Sequence, residues 1–306
     1  MGPEGLSSVL MRLLSIVLLL LAPAAGCDRS GPEPGPNRGG AVVAVTLHPL
    51  ASIAEFVAGS GVSVRTLLPP GAHPDTYEAT PRMAEALGGA SLLIRVGGAA
   101  DDWLGTSAAT EALVVTQGLT LLGESGAREA AGTGNPHVWL DPVLMRDEVL
   151  PRISAALVRI APDSAAAIRG RAAAYSDSLT ALDGEIRAML ARVRTRRYVS
   201  SHPAWVYFAA RYGLEEVGTL HPSPGTELGS RELARLVDAA RSAGVGAVIA
   251  EPQLGPTGTT ALAQELGVPV VTADPIGGAG VEGRSDYLSL MRYNAAAFAR
   301  ALGAER

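Results

Sequence analysis

Between residues 41 and 302, short apolar runs alternate with segments whose apolar positions recur every three or four residues. The runs at 41–47, 62–68, 91–96 and 112–116 have the length of buried strands. Helical patterns fall between them at 49–58, 81–87 and 101–109. Alternation of this kind predicts a parallel sheet covered on both faces. The second half repeats it, with strands at 197–201, 215–219, 247–251 and 268–273 and helices at 205–212, 231–243, 259–266 and 286–302. The segment between the halves is different. Pro162-Asp163-Ser164 is a helix-start signal, and Ile168, Ala172, Tyr175, Leu179, Leu182, Ile186, Met189 and Val193 follow as one apolar stripe. That stripe predicts a helix of about 30 residues, roughly 45 Å long and able to span two lobes. The expected fold is therefore α/β. Two lobes with parallel sheets, 41–160 and 196–306, are joined by one long backbone helix within 161–195. Ligands of such lobes bind beyond the carboxyl ends of the strands, and two facing lobes place those ends at a shared cleft.

The N-terminus reads as an address. Residues 13–21 are nearly all Leu, Ile and Val, too few for a membrane span, which needs about 20. They match the hydrophobic region of a signal peptide. Ala24, Ala25 and Gly26 follow, and then Cys27, so the stretch resembles the lipobox of bacterial lipoproteins. The resemblance implies a signal peptide at 1–26 and lipid on Cys27. Residues 27–40, rich in Pro and Gly, would then be a flexible tether. The expected location is extracytoplasmic, in the periplasm or on the outer face of the cell membrane, with the membrane contacted through that lipid. Glu4 suits the positive end of a signal badly, whereas Met11-Arg12 suits it well; translation is expected to begin at Met11.

Charge and composition exclude more than they select. Cys27 is the only cysteine, which rules out an internal disulfide and any multi-thiolate metal site. The basic residues are all Arg and are scattered, so there is no nucleic-acid footprint. Aromatic residues make up 4% of the chain, too few to line a pocket for a large organic ligand. The chain lacks His-Glu-x-x-His, Gly-x-Ser-x-Gly and a two-metal carboxylate cluster, so no enzymatic activity is expected. A zinc-dependent hydrolase is the rival reading, with Glu251 as its one obvious base.

The chemistry concentrates at strand ends. There are five His. His73 stands in Pro69-Pro70-Gly71-Ala72-His73-Pro74-Asp75, His137 in Asn135-Pro136-His137-Val138-Trp139, and His202 in Ser200-Ser201-His202-Pro203. Asp274 ends the last expected strand. Each alone has a bland reading, a hydrogen-bonded structural His or a turn-forming Asp. Together they lie where lobed α/β proteins build sites. Glu251 also ends a strand; it can ligate a metal or hold a ligating His, and the second role is preferred. His48, after the first strand, and His221, in a loop after the second strand of the second half, are lower-ranked candidates to touch a metal, against the bland reading of His221 as a solvated loop residue. Tyr77 and Trp139 are read as site walls.

These same stretches resemble the zinc- and manganese-binding solute-binding proteins of ABC transporters, the TroA-like group, over nearly all of residues 41–302. The resemblance rests on residues 71–81, on Pro136-His137-Val138-Trp139-Leu140-Asp141-Pro142, and on His202 followed by Tyr207 to Leu214. It also rests on Glu251-Pro252-Gln253, Asp274-Pro275-Ile276-Gly277, and residues 287–294. It implies a divalent metal held between the lobes, by His137, His202 and Asp274, and handed to a permease driven by an ATPase. The chain is expected to act as a monomer. His at position 202 leans toward Zn2+ over Mn2+, and so do imidazole-rich sets in general. One departure stands out. The first His of the family falls at Asp75 here, and His73 lies two residues earlier. Pro74 between them favours an extended segment, in which residues two apart point to the same side, so either can supply the remaining ligand; His73 is favoured, with Asp75 then orienting a ligating imidazole. A second departure is the loop at 123–134, which has none of the His that zinc members often carry there.

Overall fold

The structure, a computed structural model, describes residues 40–105, 111–123, 126, 134–222 and 226–303. The expected signal peptide, Cys27, most of the tether, the end of the helix expected at 101–109 and most of the 123–134 loop lie outside the described residues.

Each half folds around one four-stranded parallel sheet. In the first half, β1 (Val42–Val45), β2 (Ser63–Thr66), β3 (Leu92–Arg95) and β4 (Glu111–Val114) lie in the order β2-β1-β3-β4. In the second, β5 (Arg197–Ser200), β6 (Glu215–Thr219), β7 (Val248–Ala250) and β8 (Val270–Thr272) lie in the order β6-β5-β7-β8. The central strand β1 is buried throughout, which is why it is all Val and Ala. Both sheets change direction between the first and third strands of their half. That switch point opens a crevice at the carboxyl ends, and residues 46–48 and 201–202 emerge there.

The helices that cover the sheets are α1 (His48–Ala58), α2 (Pro81–Gly88), α6 (Val206–Tyr212), α7 (Ser230–Ala243), α8 (Thr257–Leu266) and α9 (Tyr287–Ala301). Between the halves run α3 (Pro142–Leu144), a π-helical turn (Met145–Val149), α4 (Leu150–Ile160), and then α5 (Ala165–Leu190). The long helix is as expected, with 26 α-helical residues preceded by a 3-10 turn at Pro162–Ser164. Ile168, Tyr175, Leu179, Leu182 and Ile186 are buried. The stripe then ends on Leu190 rather than on Met189 and Val193, which are only partly covered. α5 packs against α1 and α4 on one side and α6 and α9 on the other, so a single hydrophobic core runs from Val43 and Ile153 to Tyr198 and Phe298. Arg171 on α5 also donates to the final carbonyls of α1, Val57 O at 2.8 Å and Ala58 O at 2.6 Å, where a cation suits the helix dipole. Gly59 is obligatory beneath it: its φ is +62°, and a Cβ there would come within 2.7 Å of the guanidinium carbon.

Two elements differ from expectation. The helical run from Pro142 to Ile160 is not apparent in the pattern, because Pro142 and Pro151 punctuate it. The π turn closes with Leu150 N–H bonded to Met145 O, and Pro151 then opens the next α segment, where its missing N–H costs little. The helix expected at 101–109 is instead a 3-10 helix over Gly98–Leu104. The buried Asp101 carboxylate reaches back to Gly97 N–H and to Arg95 Nε, and Gly97 and Gly98 both take positive φ. These bonds favour a tight turn over an α-helical start. No helix among the described residues is long and apolar enough to cross a membrane.

Candidate metal centre

His202 is the first residue past β5 and its Ser201. Pro203 holds it extended, at φ −146° and ψ 166°. The neighbouring strand β7 ends just before Glu251, so strand pairing sets the two side chains side by side. His202 Nδ1 lies 2.7 Å from Glu251 Oε1, and Ser201 Oγ donates to the same oxygen at 2.9 Å. His202 therefore donates through Nδ1 and keeps the lone pair on Nε2.

His137 reaches the same point from the other half. Asn135 Oδ1 accepts from both His137 N–H at 3.0 Å and His137 Nδ1 at 2.8 Å. The Asn135 amide in turn donates to Pro203 O at 2.5 Å, beside His202. The segment is threaded through the second half by further bonds. Tyr207 Oη donates to Asn135 O, Trp139 Nε1 donates to Pro275 O, Tyr287 Oη donates to Trp139 O, and Arg211 grips both oxygens of Asp141. His137, like His202, thus donates through Nδ1 and presents Nε2 as an acceptor. The two Nε2 atoms face each other at 3.2 Å. Two lone pairs cannot bond to each other. Such a pair is satisfied only by a cation between the rings, either a metal ion or a shared proton.

His73 is the third imidazole, its ring centre 4.9 Å from that of His202. It is buried, and Pro74 keeps it extended. The next three residues differ from the fully extended loop that the sequence suggests. Pro74–Thr76 is a 3-10 turn, which folds the Asp75 N–H back onto His73 Nδ1 at 3.2 Å. This turn, rather than extended backbone, brings the two side chains together. His73 Nε2 has no hydrogen-bond partner, nor has Glu251 Oε2, and the two lie 4.0 Å apart in the buried interior. Donor atoms of His73, Asp75 and His202 all fall within 4.8 Å of one another, a spacing suited to a shared metal ion. The Asp75 carboxylate is 3.8 Å from His73 Nδ1; it is near the ring without a hydrogen bond to it.

The protonation states suit a cation. Burial, with His202 nearby, pushes His73 down to about 3 and holds His137 well below the ordinary imidazole range. Burial acts on His202 too, but the charge and hydrogen bond of Glu251 outweigh it and raise its pKa. Burial raises Asp75. His73 and His137 are thus held neutral, and any proton in the cluster belongs on His202.

The other expected residues are placed as follows. Asp274 is buried after β8, and both of its carboxylate oxygens accept hydrogen bonds. Oδ1 accepts from Gln253 Nε2, Ile276 N and Gly277 N, and Oδ2 accepts from Arg284 Nη1 at 2.8 Å. His48 Nε2 lies 3.1 Å from Ser285 O, tying α1 to the loop before α9. His221 is half-buried, with Nδ1 3.3 Å from Thr226 O. Tyr77 packs edge-on to Trp103, and Trp139 lies 4.9 Å from His137 and forms a wall. Sequence reasoning gave no role to Asn135, Ser201 or Arg284. An Asn two residues before a His, and a Ser beside one, are weak signals that acquire meaning only from the bonds above.

Comparison with known proteins identifies the family. Residues 43–301 match the family described as zinc-uptake complex component A, periplasmic (ZnuA). The manganese-binding lipoprotein MntA of Halalkalibacterium halodurans is 25% identical, across 94% of this chain and 97% of its own. The high-affinity zinc uptake system protein ZnuA of Yersinia pestis is 25% identical, across 83% of this chain and 89% of its own. A crystal structure of a zinc-bound ZnuA deletion mutant superimposes with a TM-score of 0.76 at 27% identity, covering 87% of this chain and all of that one. The chain belongs to the ZnuA family of periplasmic metal-binding components of ABC metal uptake.

Proposed function

We propose that the protein captures Zn2+ outside the cytoplasm and delivers it to a membrane permease powered by a cytoplasmic ATPase. The ion is its substrate. Lipid on Cys27 would hold the chain at the membrane. His137 and His202 supply two imidazole nitrogens, the His73–Asp75 loop supplies a third ligand, His73 in preference to Asp75, and Asp274 supplies a carboxylate as the fourth. Glu251 and Asn135 orient the rings from behind, through the bonds that fix the tautomers. The observation that carries this reading is the pair of Nε2 lone pairs at 3.2 Å, each ring already donating through its other nitrogen. Zinc is preferred because a neutral imidazole-rich set suits it better than a harder ion. The relationship to a manganese-binding lipoprotein makes Mn2+ the alternative.

The test is metal analysis of protein purified without added metal, followed by competition between zinc and manganese. Copurified zinc, with manganese displaced by zinc, is the expected result. Protein that binds neither ion overturns the reading. In cells lacking redundant uptake, deletion of the gene should impair growth under chelation, and added zinc should restore it.

A further inference from the structure

The second half carries a groove that the ion site does not use. Helices α7 and α8 pack side by side against the sheet, and the channel between them encloses about 830 Å³. Its floor is apolar: Leu220 and Leu262 are buried there in a small hydrophobic cluster of their own. On its wall stands Leu233, 38% exposed and one of three large apolar side chains left exposed among the described residues. The groove runs from Ser230 and Thr257, the first residues of the two helices, to Arg241 and Glu265 in their last turns. At 1.5 Å per residue it is roughly 16 Å long, three turns of a helix. Its charge is one-sided. Glu227, Asp238 and Glu265 line it against one cation, Arg241, and that guanidinium already donates to the Glu265 carboxylate at 2.5 Å and carbonyl at 3.0 Å. Among the described residues, no cation pairs with Glu227 or Asp238. The groove also starts at the sheet edge that carries the imidazole cluster. Leu220 and His221, at its mouth, donate their N–H groups to Ser200 O at 3.1 Å and Ser201 O at 2.8 Å, immediately before His202.

We propose that this groove is a docking surface for a basic amphipathic helix of the permease that receives the ion. The inference rests on the delivery reading above. An elongated apolar channel between two helices accepts the apolar face of a third, anchored at every third or fourth residue. A small ligand would need polar groups converging on one point, whereas the carboxylates here are spread along the groove. Basic side chains flanking the docked apolar face would meet Glu227 and Asp238. Complementary charge of this kind steers encounter and fixes register more than it adds affinity. The position fits the same partner. An ion leaving the cleft leaves at the carboxyl ends of the strands, so the molecule that takes it must approach the edge where the groove opens.

The experiment measures docking of the zinc-loaded full chain to the permease–ATPase complex of its own uptake system, held in nanodiscs, at low and at high salt. The chains compared are the parent, E227K/D238K, L233A and R231E/R235E, each with zinc affinity and thermal melting measured alongside. E227K/D238K should weaken docking by about tenfold or more at low salt and remove most of its salt dependence. L233A should weaken it by about fivefold at both salts, the scale of one lost apolar anchor. R231E/R235E changes charges on α7 that do not line the groove, and should not weaken docking. Zinc affinity should match the parent in all three, since none of these residues belongs to the ion site. An E227K/D238K chain that folds, binds zinc and docks like the parent overturns the inference, as does an R231E/R235E chain that loses docking to the same extent. If E227K/D238K does not fold, L233A decides, and parent-like docking in it overturns the inference. A parent chain that sediments as a dimer which L233A dissociates gives the groove to a second copy and also overturns it. A parent that binds no zinc overturns the delivery reading itself, whereas a parent that binds zinc and docks without regard to the groove variants overturns only this step.

Discussion

The two sides of the candidate centre are prepared to different degrees. His137 and His202 each have Nδ1 committed to an acceptor, Asn135 or Glu251, so each offers a lone pair on Nε2. His73 is the reverse: its Nδ1 accepts from Asp75 N–H, so the neutral ring carries its proton on Nε2. The first pair sits on strand ends and a heavily cross-linked segment, and the third imidazole sits on a short loop turn. Rigid elements fix a tautomer in advance, whereas the loop must break a 3.2 Å contact before Nε2 can ligate. On the proposed metal-binding reading, the prepared pair can receive the ion without a change of tautomer, whereas His73 cannot.

The largest effects should come from the prepared pair. His137→Ala and His202→Ala should each reduce zinc affinity by more than about 100-fold, since each removes a ligand outright rather than its support. Isothermal titration measures this directly. The zinc-induced rise in melting temperature should shrink in parallel, because only the folded state binds. Parent-like zinc binding in either variant removes that residue from the site.

The loop side gives a ranking rather than a single value. His73→Ala should weaken zinc binding more than Asp75→Asn, the latter by about 10–100-fold as a neighbour of the ligand. Reversal of that order would assign the ligand to Asp75. The site would then be richer in carboxylate and better suited to manganese.

How much of this is legible in the sequence depends on whether the signal is local. The β/α alternation, the long stripe and the strand-end His positions are periodic or local features, and the structure reproduces the elements they predict to within a few residues. The π-bulged helix around Pro151 is not visible, because helix patterns are read as broken at proline. The turn at Gly98–Leu104 is hidden because Asp101 bonds backward to Gly97, a contact that no periodicity encodes. At the site, His137 and His202 stand out as rare residues in distinctive surroundings. Arg284 is one of many scattered Arg, and only the return of the 277–284 turn brings it onto Asp274. Ligand candidates can thus be read from sequence, whereas the residues that engage or orient them depend on tertiary contacts.

Glu251→Gln tests the prepared side through its pH dependence. Glu251 raises the pKa of His202 above its ordinary value, against the effect of burial. In the metal-free protein that ion pair contributes stability that is fully present below the unfolded imidazole pKa, and is lost as pH rises through the folded one. Zinc requires the ring deprotonated, so apparent affinity should fall by about tenfold per pH unit below the folded pKa of His202. Gln at 251 removes the charge and lowers that pKa. Affinity at pH 8 should drop by about 10–100-fold, yet the onset of acid loss should move to lower pH. Zinc titrations from pH 8 to pH 5 check both, and an onset that stays in place means that Glu251 does not set the His202 proton.

The smallest expected effect is at Ser201, and its sign is the informative part. Ser201 Oγ donates to the Glu251 oxygen that also faces His202 Nδ1, at 2.9 Å and 2.7 Å. Ser201→Ala removes one of two donors from a buried carboxylate oxygen. The lost bond has a net worth of about 1 kcal/mol, and the remaining charge is then shared with His202 alone. Zinc affinity at pH 8 should change by less than about tenfold. The imidazolium of His202 should be better stabilised than before, so the onset of acid loss should move slightly upward, opposite to Glu251→Gln. The same zinc titrations resolve the two directions. If Ser201→Ala instead moves the onset downward, or costs as much affinity as Glu251→Gln, then the hydroxyl rather than the carboxylate charge positions the ring. The preparation of His202 would then be a matter of geometry and not of electrostatics.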